Sequence, residues 1–308
     1  MIAVDWGSSS LRAFRLDADG KILERRQAAL GILKCGSGFD AVLSRQIEGW
    51  DDRLVVLVGM IGSRQGWLEV PYVECPATIS NVAAGMRKVD APTLPGRIVW
   101  IVPGLLDGAG TRNSAEVLRG EETQLFGLMG RLDAQRHVVC LPGTHSKWAM
   151  VKDGCVESFI TAMTGELFEL LCKHSLLGRL MTERGDTIDP SACEQGIVRA
   201  REPGGLLHHL FSVRTSGLLG TLEPRQLASY LSGLLIAHEV LDSAGGEDLR
   251  GQLVHLVGSP ALLEPYSFVL RKLGITPELH DEALLAAGAH QLTMQLGRLQ
   301  TSAEARQS

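Results

Sequence analysis

Two α/β lobes of similar construction are what the sequence predicts, and three observations predict them. One pattern occurs twice: an apolar strand, a turn rich in Gly and hydroxyl groups, a second strand and an Asp-Gly hairpin, over residues 2–22 and again over 138–156. Short β-branched runs come next, 54–58 and 98–102 in the first half and 253–257 in the second, of the kind that form strands covered on both faces. Apolar residues at helical spacing lie between and after them. With 308 residues, 45% of them hydrophobic, the chain can fill two cores, and the expected lobes are 1–133 and 134–308.

The first copy turns through Asp5-Trp6-Gly7-Ser8-Ser9-Ser10 and closes its hairpin at Asp19-Gly20; the second turns through Pro142-Gly143-Thr144-His145-Ser146 and closes at Asp153-Gly154. Such turns point backbone N–H groups and hydroxyls into one concave spot where phosphate oxygens fit without side-chain bulk. One turn binds an anion, whereas two facing turns can hold a polyphosphate. The negative charge of Asp5 is wrong for a phosphate contact but suits Mg2+ held through water, because that ion keeps most of its waters and takes one or two carboxylates. Arg12, on the second strand, reads equally as a phosphate contact and as a solvated strand residue.

The strand at 54–58 opens into the Gly-rich loop 59–67 at its carboxyl end, where ligands of open α/β sheets usually sit. The strand at 98–102 ends at Pro103-Gly104, and a loop over 107–114 leads to a helix over 116–129. In the second half, a helix is expected from Thr164 or Gly165 to Leu180, with Leu167, Leu170, Leu171 and Leu177 on one face. Another begins at Glu223-Pro224, with Leu227, Leu231, Leu234, Leu235 and His238 on one stripe; His238 is read as packing. The strand at 253–257 ends in Gly258-Ser259-Pro260 and a helix. A last helix over 282–296 carries Ala286-Ala287-Gly288-Ala289, small residues that permit close packing.

Composition excludes more than it selects. A net charge of −5 without a basic block argues against a nucleic-acid surface, and the longest apolar stretches, 54–62 and 98–106, are too short to cross a bilayer. The first strand starts at residue 2, so the expected location is the cytoplasm. Six widely spaced cysteines form no Cys-x-x-Cys pair and stand near no histidine cluster at zinc spacing, so they read as reduced thiols in or near the core.

The first turn, with Asp5, Gly7, Ser8 and Ser9, resembles the first phosphate loop of sugar kinases with the actin and hexokinase fold, two ribonuclease H-like lobes with a nucleotide cleft between them. Gly120-Glu121-Glu122-Thr123-Gln124 resembles the Gly-Asp-Gln stretch that carries the catalytic carboxylate of glycerol-type kinases. Four blocks spread over most of the chain, Gly59 to Trp67, Arg119 to Gln124, Pro142 to Trp148 and Met163 to Phe168, are similar to the 2-dehydro-3-deoxygalactonokinase family. The missing Cys-rich zinc site and helix-turn-helix head separate the chain from the repressor-and-kinase group of the same fold.

That resemblance implies ATP and Mg2+ as cofactors and phosphorylation of the C6 hydroxyl of 2-dehydro-3-deoxy-D-galactonate in galactonate breakdown. It implies Glu121 as the base, one methylene longer than the family's Asp, with Glu122 as competitor. Phosphate and nucleotide contacts are expected from Gly7, Ser8, Ser9, Ser10, Gly143, Thr144, His145 and Ser146, and adenosine contacts from Gly258 and Ser259. The substrate carboxylate needs a cation far from the base, which Arg64 fits by bidentate pairing, with Ser63, Gln65 and Trp67 around it. The alternatives are an Arg64 salt bridge to Glu69 or Glu74 and a Trp67 that fills the core. Thr161, Thr164 and Glu166 are expected to contribute from the second lobe. A homodimer is left open. The rival readings are another sugar or polyol kinase of this fold, and an ATPase switch that transfers no phosphate.

Overall fold

The computed structural model describes residues 1–36, 38–108, 115–182, 187–243, 248–281 and 283–305. In chain order its strands are β1 (Ile2–Trp6), β2 (Leu11–Leu16), β3 (Ile22–Ala28), β4 (Leu54–Val58), β5 (Val73–Glu74), β6 (Ala77–Thr78), β7 (Arg87–Val89), β8 (Ile98–Ile101), β9 (Leu105–Asp107), β10 (Glu116–Leu118), β11 (Arg136–Leu141), β12 (Ser146–Lys152), β13 (Cys155–Ala162), β14 (Leu253–Val257) and β15 (Thr276–His280). The α-helices are α1 (Phe39–Gln46), α2 (Ile79–Gly85), α3 (Glu121–Met129), α4 (Thr164–His174), α5 (Pro190–Ala200), α6 (Gly205–Leu218), α7 (Leu227–His238), α8 (Pro260–Lys272) and α9 (Leu284–Glu304).

The chain divides into two compact units: Met1–Arg136 with Val151–Ser158 and Ala283–Ser308, and His137–Met150 with Phe159–Glu282. In the first, the sheet order is β3-β2-β1-β4-β8-β7. The hairpin partners β1 and β2 are antiparallel, whereas β1, β4 and β8 run parallel. Apolar residues fill both faces of β1 and β4; in β1 only Asp5 is not buried. The order β15-β14-β11-β12-β13 repeats that construction about β11, with β11, β14 and β15 parallel. The tip of the β12–β13 hairpin is a two-residue turn with both residues at positive φ, Asp153 at 48° and Gly154 at 70°, as a tight hairpin requires. Just beyond that turn, Cys155 and Val156 pair with Thr78 and Ala77 of β6, all four residues belonging to the first unit.

Two separate cores match this division. One gathers Trp6, Leu11, Phe39, Trp50 and Leu57 between sheet and α1; the other gathers Val138, Val254, Leu231, Leu234 and Val269 between sheet, α7 and α8. All six cysteines are free thiols, buried or half-buried.

Four elements depart from the sequence reading. Glu116–Leu118 is a strand paired with Leu105–Asp107, and the helix starts only at Glu121, because Gly120 sits at φ 112°, a conformation no helix residue takes. Of the loop expected over 107–114, residues 109–114 lie outside the described residues. The helix α4 stops at His174: Ser175 is extended, and its hydroxyl donates to the Leu171 carbonyl at 2.5 Å. The helix α7 is buried on every side instead of presenting one stripe, since it packs against α5, α6 and α8. The last helix runs on to Glu304, while Glu282 lies outside the described residues.

Candidate active site

In the first unit, parallel pairing sets Asp5 of β1 beside Val58 of β4, at the carboxyl ends of both strands. The chain then leaves β4 through Gly59, at φ 90°, where a Cβ would stand 3.2 Å from Asp5 Oδ1 and 3.1 Å from the Trp6 carbonyl. Gly120 closes on the same point: its Cβ would lie 3.3 Å from the Gly59 Cα. Two glycines thus let three chain segments meet, and the residue after the second is Glu121, the first of α3.

The paired carboxylates of that helix start have opposite fates. Glu121 is half-exposed, and its Oε2 accepts the Arg119 backbone N–H at 3.0 Å. Glu122 is completely buried; Oε2 accepts the Gly120 N–H at 2.5 Å and Oε1 the Thr123 hydroxyl at 3.0 Å. Burial, helped by the charge of Glu121, pushes the Glu122 carboxyl up to about 8. A carboxyl raised in the folded state keeps its proton where the unfolded chain has lost it. Its contribution to stability is therefore full below the unfolded value near 4.5 and is lost as pH rises toward about 8. We expect unfolding free energy to fall over that window by up to about 1.4 kcal/mol per pH unit. Denaturant midpoints of the parent and Glu122→Gln should show the slope shrinking in the variant; equal slopes would refute this account.

Asp5 is held rather than loose. Arg12, its cross-strand partner, donates Nε–H to Asp5 Oδ2 at 3.0 Å and Nη2–H to the same oxygen. Arg12 is thereby occupied as an anchor of Asp5. Beyond them the Gly7 N–H donates to the Ser10 carbonyl at 2.9 Å, leaving Ser8 and Ser9 exposed at the tip. In the 59–67 loop, Arg64 and Gln65 are exposed. Ser63 is nearly buried, with its hydroxyl facing the Gln65 N–H at 3.4 Å. Trp67 is half-buried and stacked on Phe39 (6.3 Å between centroids, 18°), so it packs on the core.

Arg119 went unassigned from sequence, although it opens one of the four blocks. Its guanidinium lies 4.3 Å over the Tyr72 ring and Nη2 donates to the Val70 carbonyl at 2.8 Å. Its Nε and Nη1 are buried, with no hydrogen-bond partner among the described residues. The position immediately before Gly120 was the available signal.

In the second unit, α4 starts against the second turn. A Cβ on Gly165 would stand 2.2 Å from the Gly143 carbonyl, and the Glu166 N–H donates to the Thr144 carbonyl at 2.9 Å. Glu166 Oε2 meets His145 Nε2 at 2.5 Å, so the structure joins Gly143, Thr144, His145, Gly165 and Glu166 in one exposed patch. Thr164 bonds the buried Glu239, and Thr161 Oγ1 is buried with no partner among the described residues. Ser146 corrects an expectation: it is fully buried, with its hydroxyl 2.6 Å from the Tyr266 hydroxyl, because the first residue of β12 points into the core. The next residue, Lys147, is also buried and donates to the His145 carbonyl at 2.9 Å. A cavity of about 660 Å³ adjoins the turn, lined by Gly143, Thr144, Phe168, Met181 and Leu262 among others. Gly258 lies close behind: its Cβ would be 3.9 Å from the Pro142 carbonyl. Ser259 caps α8 in an extended conformation, and its side chain makes no capping hydrogen bond to the described helix start.

Comparison with known proteins agrees with this construction. The profile of the family described as 2-keto-3-deoxy-galactonokinase matches residues 5–292. The chain is 38% identical over 295 residues to a 2-dehydro-3-deoxygalactonokinase of Escherichia coli (strain K12), covering 92% of this chain and 94% of that one. It is 37% identical over 287 residues to the "Probable 2-dehydro-3-deoxygalactonokinase DgoK1" of Rhizobium meliloti (strain 1021), covering 91% of each. A crystal structure of a Sinorhizobium meliloti protein named for the same kinase superposes with a TM-score of 0.85 at 35% identity, over 97% of this chain and 98% of that one. At 12% identity, the activator of 2-hydroxyisocaproyl-CoA dehydratase from Clostridium difficile, with bound ADPNP, shares the fold with a TM-score of 0.50, over 99% of this chain and 97% of that one. Together with the duplicated sheet and the Gly-lined start of α3, these matches establish that the chain belongs to the 2-keto-3-deoxy-galactonokinase family.

Proposed function

We propose that this chain uses ATP to phosphorylate the C6 hydroxyl of 2-dehydro-3-deoxy-D-galactonate, with Glu121 as the group that accepts the hydroxyl proton. The family assignment carries the reaction, and one observation carries the residue: of two adjacent carboxylates at the start of α3, only Glu121 reaches the surface while Glu122 is sealed in the core. A base must lie within hydrogen-bond reach of the proton it takes, and a fully buried carboxyl with a raised pKa does not meet that need.

Each unit has a defined share. In the first, Ser8 and Ser9 present hydroxyls for phosphate oxygens, and Arg12 keeps the Asp5 carboxylate fixed at the end of β1. Asp5 fits Mg2+ held through water: it is a partly buried carboxylate held by Arg12, beside a turn of exposed hydroxyls. Mg2+ bound there would offset phosphate charge. Arg64, exposed in the 59–67 loop, pairs with the substrate carboxylate, and Ser63 and Gln65 shape that loop. Trp67 supports it from the core side through Phe39.

In the second unit, the N–H groups and hydroxyl of the Gly143-Thr144-His145 turn serve the phosphates, with Glu166 fixing the His145 ring. Ser146 serves the turn's shape from inside rather than the phosphate directly. The carbon-rich cavity beside Phe168, Met181 and Leu262 suits a purine ring, with Gly258 and Ser259 behind it at the start of α8.

ADP release with Mg-ATP, measured across 2-dehydro-3-deoxy-D-galactonate, its gluconate epimer, galactonate and glycerol, tests the reading. Turnover is expected with the first compound. Turnover confined to a neutral polyol would discard both the substrate and the role of Arg64, and slow hydrolysis indifferent to every acceptor would discard phosphoryl transfer. In the same assay Arg64→Ala should raise the sugar-acid KM about ten- to a hundredfold, the cost of one charge-assisted pair, and leave the ATP KM near its parent value. Equal rises in both would make Arg64 structural.

A further inference from the structure

Three histidines and a glutamate converge on one face of the second unit's sheet, and the reaction above uses none of them. The parallel register pairs His255 of β14 with Glu278 of β15, and Val257 with His280. Val139 of β11 pairs with His255 on the other side. Side chains alternate with period two along a strand, so His255, Glu278 and His280 share a face, joined by His137 two residues before Val139.

The spacing of the polar atoms is specific. His255 Nδ1 lies 3.0 Å from His280 Nε2, Glu278 Oε2 lies 3.7 Å from the former and Glu278 Oε1 lies 3.6 Å from the latter. The two longer distances exceed a hydrogen bond. A tetrahedral ion with bonds of about 2.0–2.1 Å separates its ligand atoms by roughly 3.3 Å, close to the spacing of the two ring nitrogens and of each ring nitrogen from its nearer Glu278 oxygen. Each of the three residues offers one ligand atom, all within 4.8 Å of one another.

The other ring nitrogen of His255 completes the pattern. His255 Nε2 lies 3.2 Å from His137 Nδ1. With Nδ1 lending its lone pair to an ion, the proton sits on Nε2 and is donated to His137, the outer-sphere bond that metal-ligating histidines usually make. His255 is almost fully buried, whereas Glu278 is half-exposed, which leaves a path for the ion and room for water as a fourth ligand.

We propose that His255, His280 and Glu278 bind one divalent transition-metal ion of the zinc class, which staples the edge strand β15 to β14. Two imidazoles and one carboxylate suit a borderline ion; Mg2+ and Ca2+ prefer all-oxygen sets. The site also answers a local weakness. β15 is the end strand of its sheet and is exposed along much of its length, and among the described strands β14 alone pairs with it.

The test uses the untagged full-length chain, stripped with a chelator and titrated with Co2+ alone. One equivalent should bind with the strong visible absorption of tetrahedral cobalt, Zn2+ should displace it, and Zn2+ should raise the melting temperature by mass action. Glu278→Ala and His280→Ala should each abolish the cobalt band, while His137→Ala should keep it with affinity weakened about 10–100-fold. Glu278 is half-exposed, so its variant keeps the test open even where His280→Ala fails to fold. Absence of the band in the parent, or a band that survives both ligand substitutions, would overturn the proposal.

Discussion

Glu121→Gln should lower kcat by about 10²–10⁴-fold, the range a positioned general base contributes, with the ATP KM nearly unchanged. The substitution keeps the size of the side chain and can still accept the Arg119 N–H, which now holds Glu121 Oε2 at 3.0 Å. What it removes is the ability to take a proton. Glu122→Gln is the control: its carboxyl is raised to about 8 and is thus largely protonated at neutral pH, so an amide resembles the state already present. Steady-state kinetics on both variants decides the matter. A Glu121→Gln enzyme with near-parent kcat, or a larger loss in Glu122→Gln, would move the base away from Glu121.

Gly288→Ala should destabilise the first unit and slow catalysis together. An added methyl in an exposed helix normally stabilises by up to about 1 kcal/mol relative to glycine. Here the helices α3 and α9 touch through their backbones: a Cβ on Gly288 would lie 1.8 Å from the Thr123 carbonyl, and one on Gly127 would lie 2.1 Å from the Leu284 carbonyl. Backbone cannot rotate aside as a side chain can, so one helix must shift. We expect a net loss of about 1–3 kcal/mol, the usual cost of overpacking, read as a lower urea midpoint at unchanged slope. Thr123 is only two residues beyond Glu121, so the shift also reaches the base, and kcat should fall where the fold survives. Parent-like stability and kcat would show that the two helices separate without cost.

The glycine-hydroxyl turns were legible from residues alone because their chemistry is local: four or five consecutive residues define both the bend and the donors, and the Asp-Gly hairpins set where the chain reverses. β1, β4 and β14 were legible for the same reason, as short β-branched runs bounded by turn residues. The Glu121–Glu122 choice was not legible. Both residues carry the same group, and which one faces the core depends on the rotation of α3, set by its packing on α9 more than 150 positions later in the chain.

Other placements have the same origin. Arg12 and Ser146 carry side chains suited to phosphate, yet Arg12 is taken by Asp5 across the strand pair and Ser146 by Tyr266, 120 residues away in sequence. The leucines of α7 suggested one stripe, but helices on several sides bury the whole element, and no periodicity within α7 could reveal its neighbours. The histidine cluster was missed because metal spacing was sought along the chain, whereas parallel strand register brings His255 opposite Glu278. The family and the duplicated plan were readable without a structure, since both are written in short contiguous blocks. Which of the matching side chains reach the surface, which hold others and which distant residues meet became visible in the folded chain, because burial and strand register are set by contacts between segments far apart in the sequence.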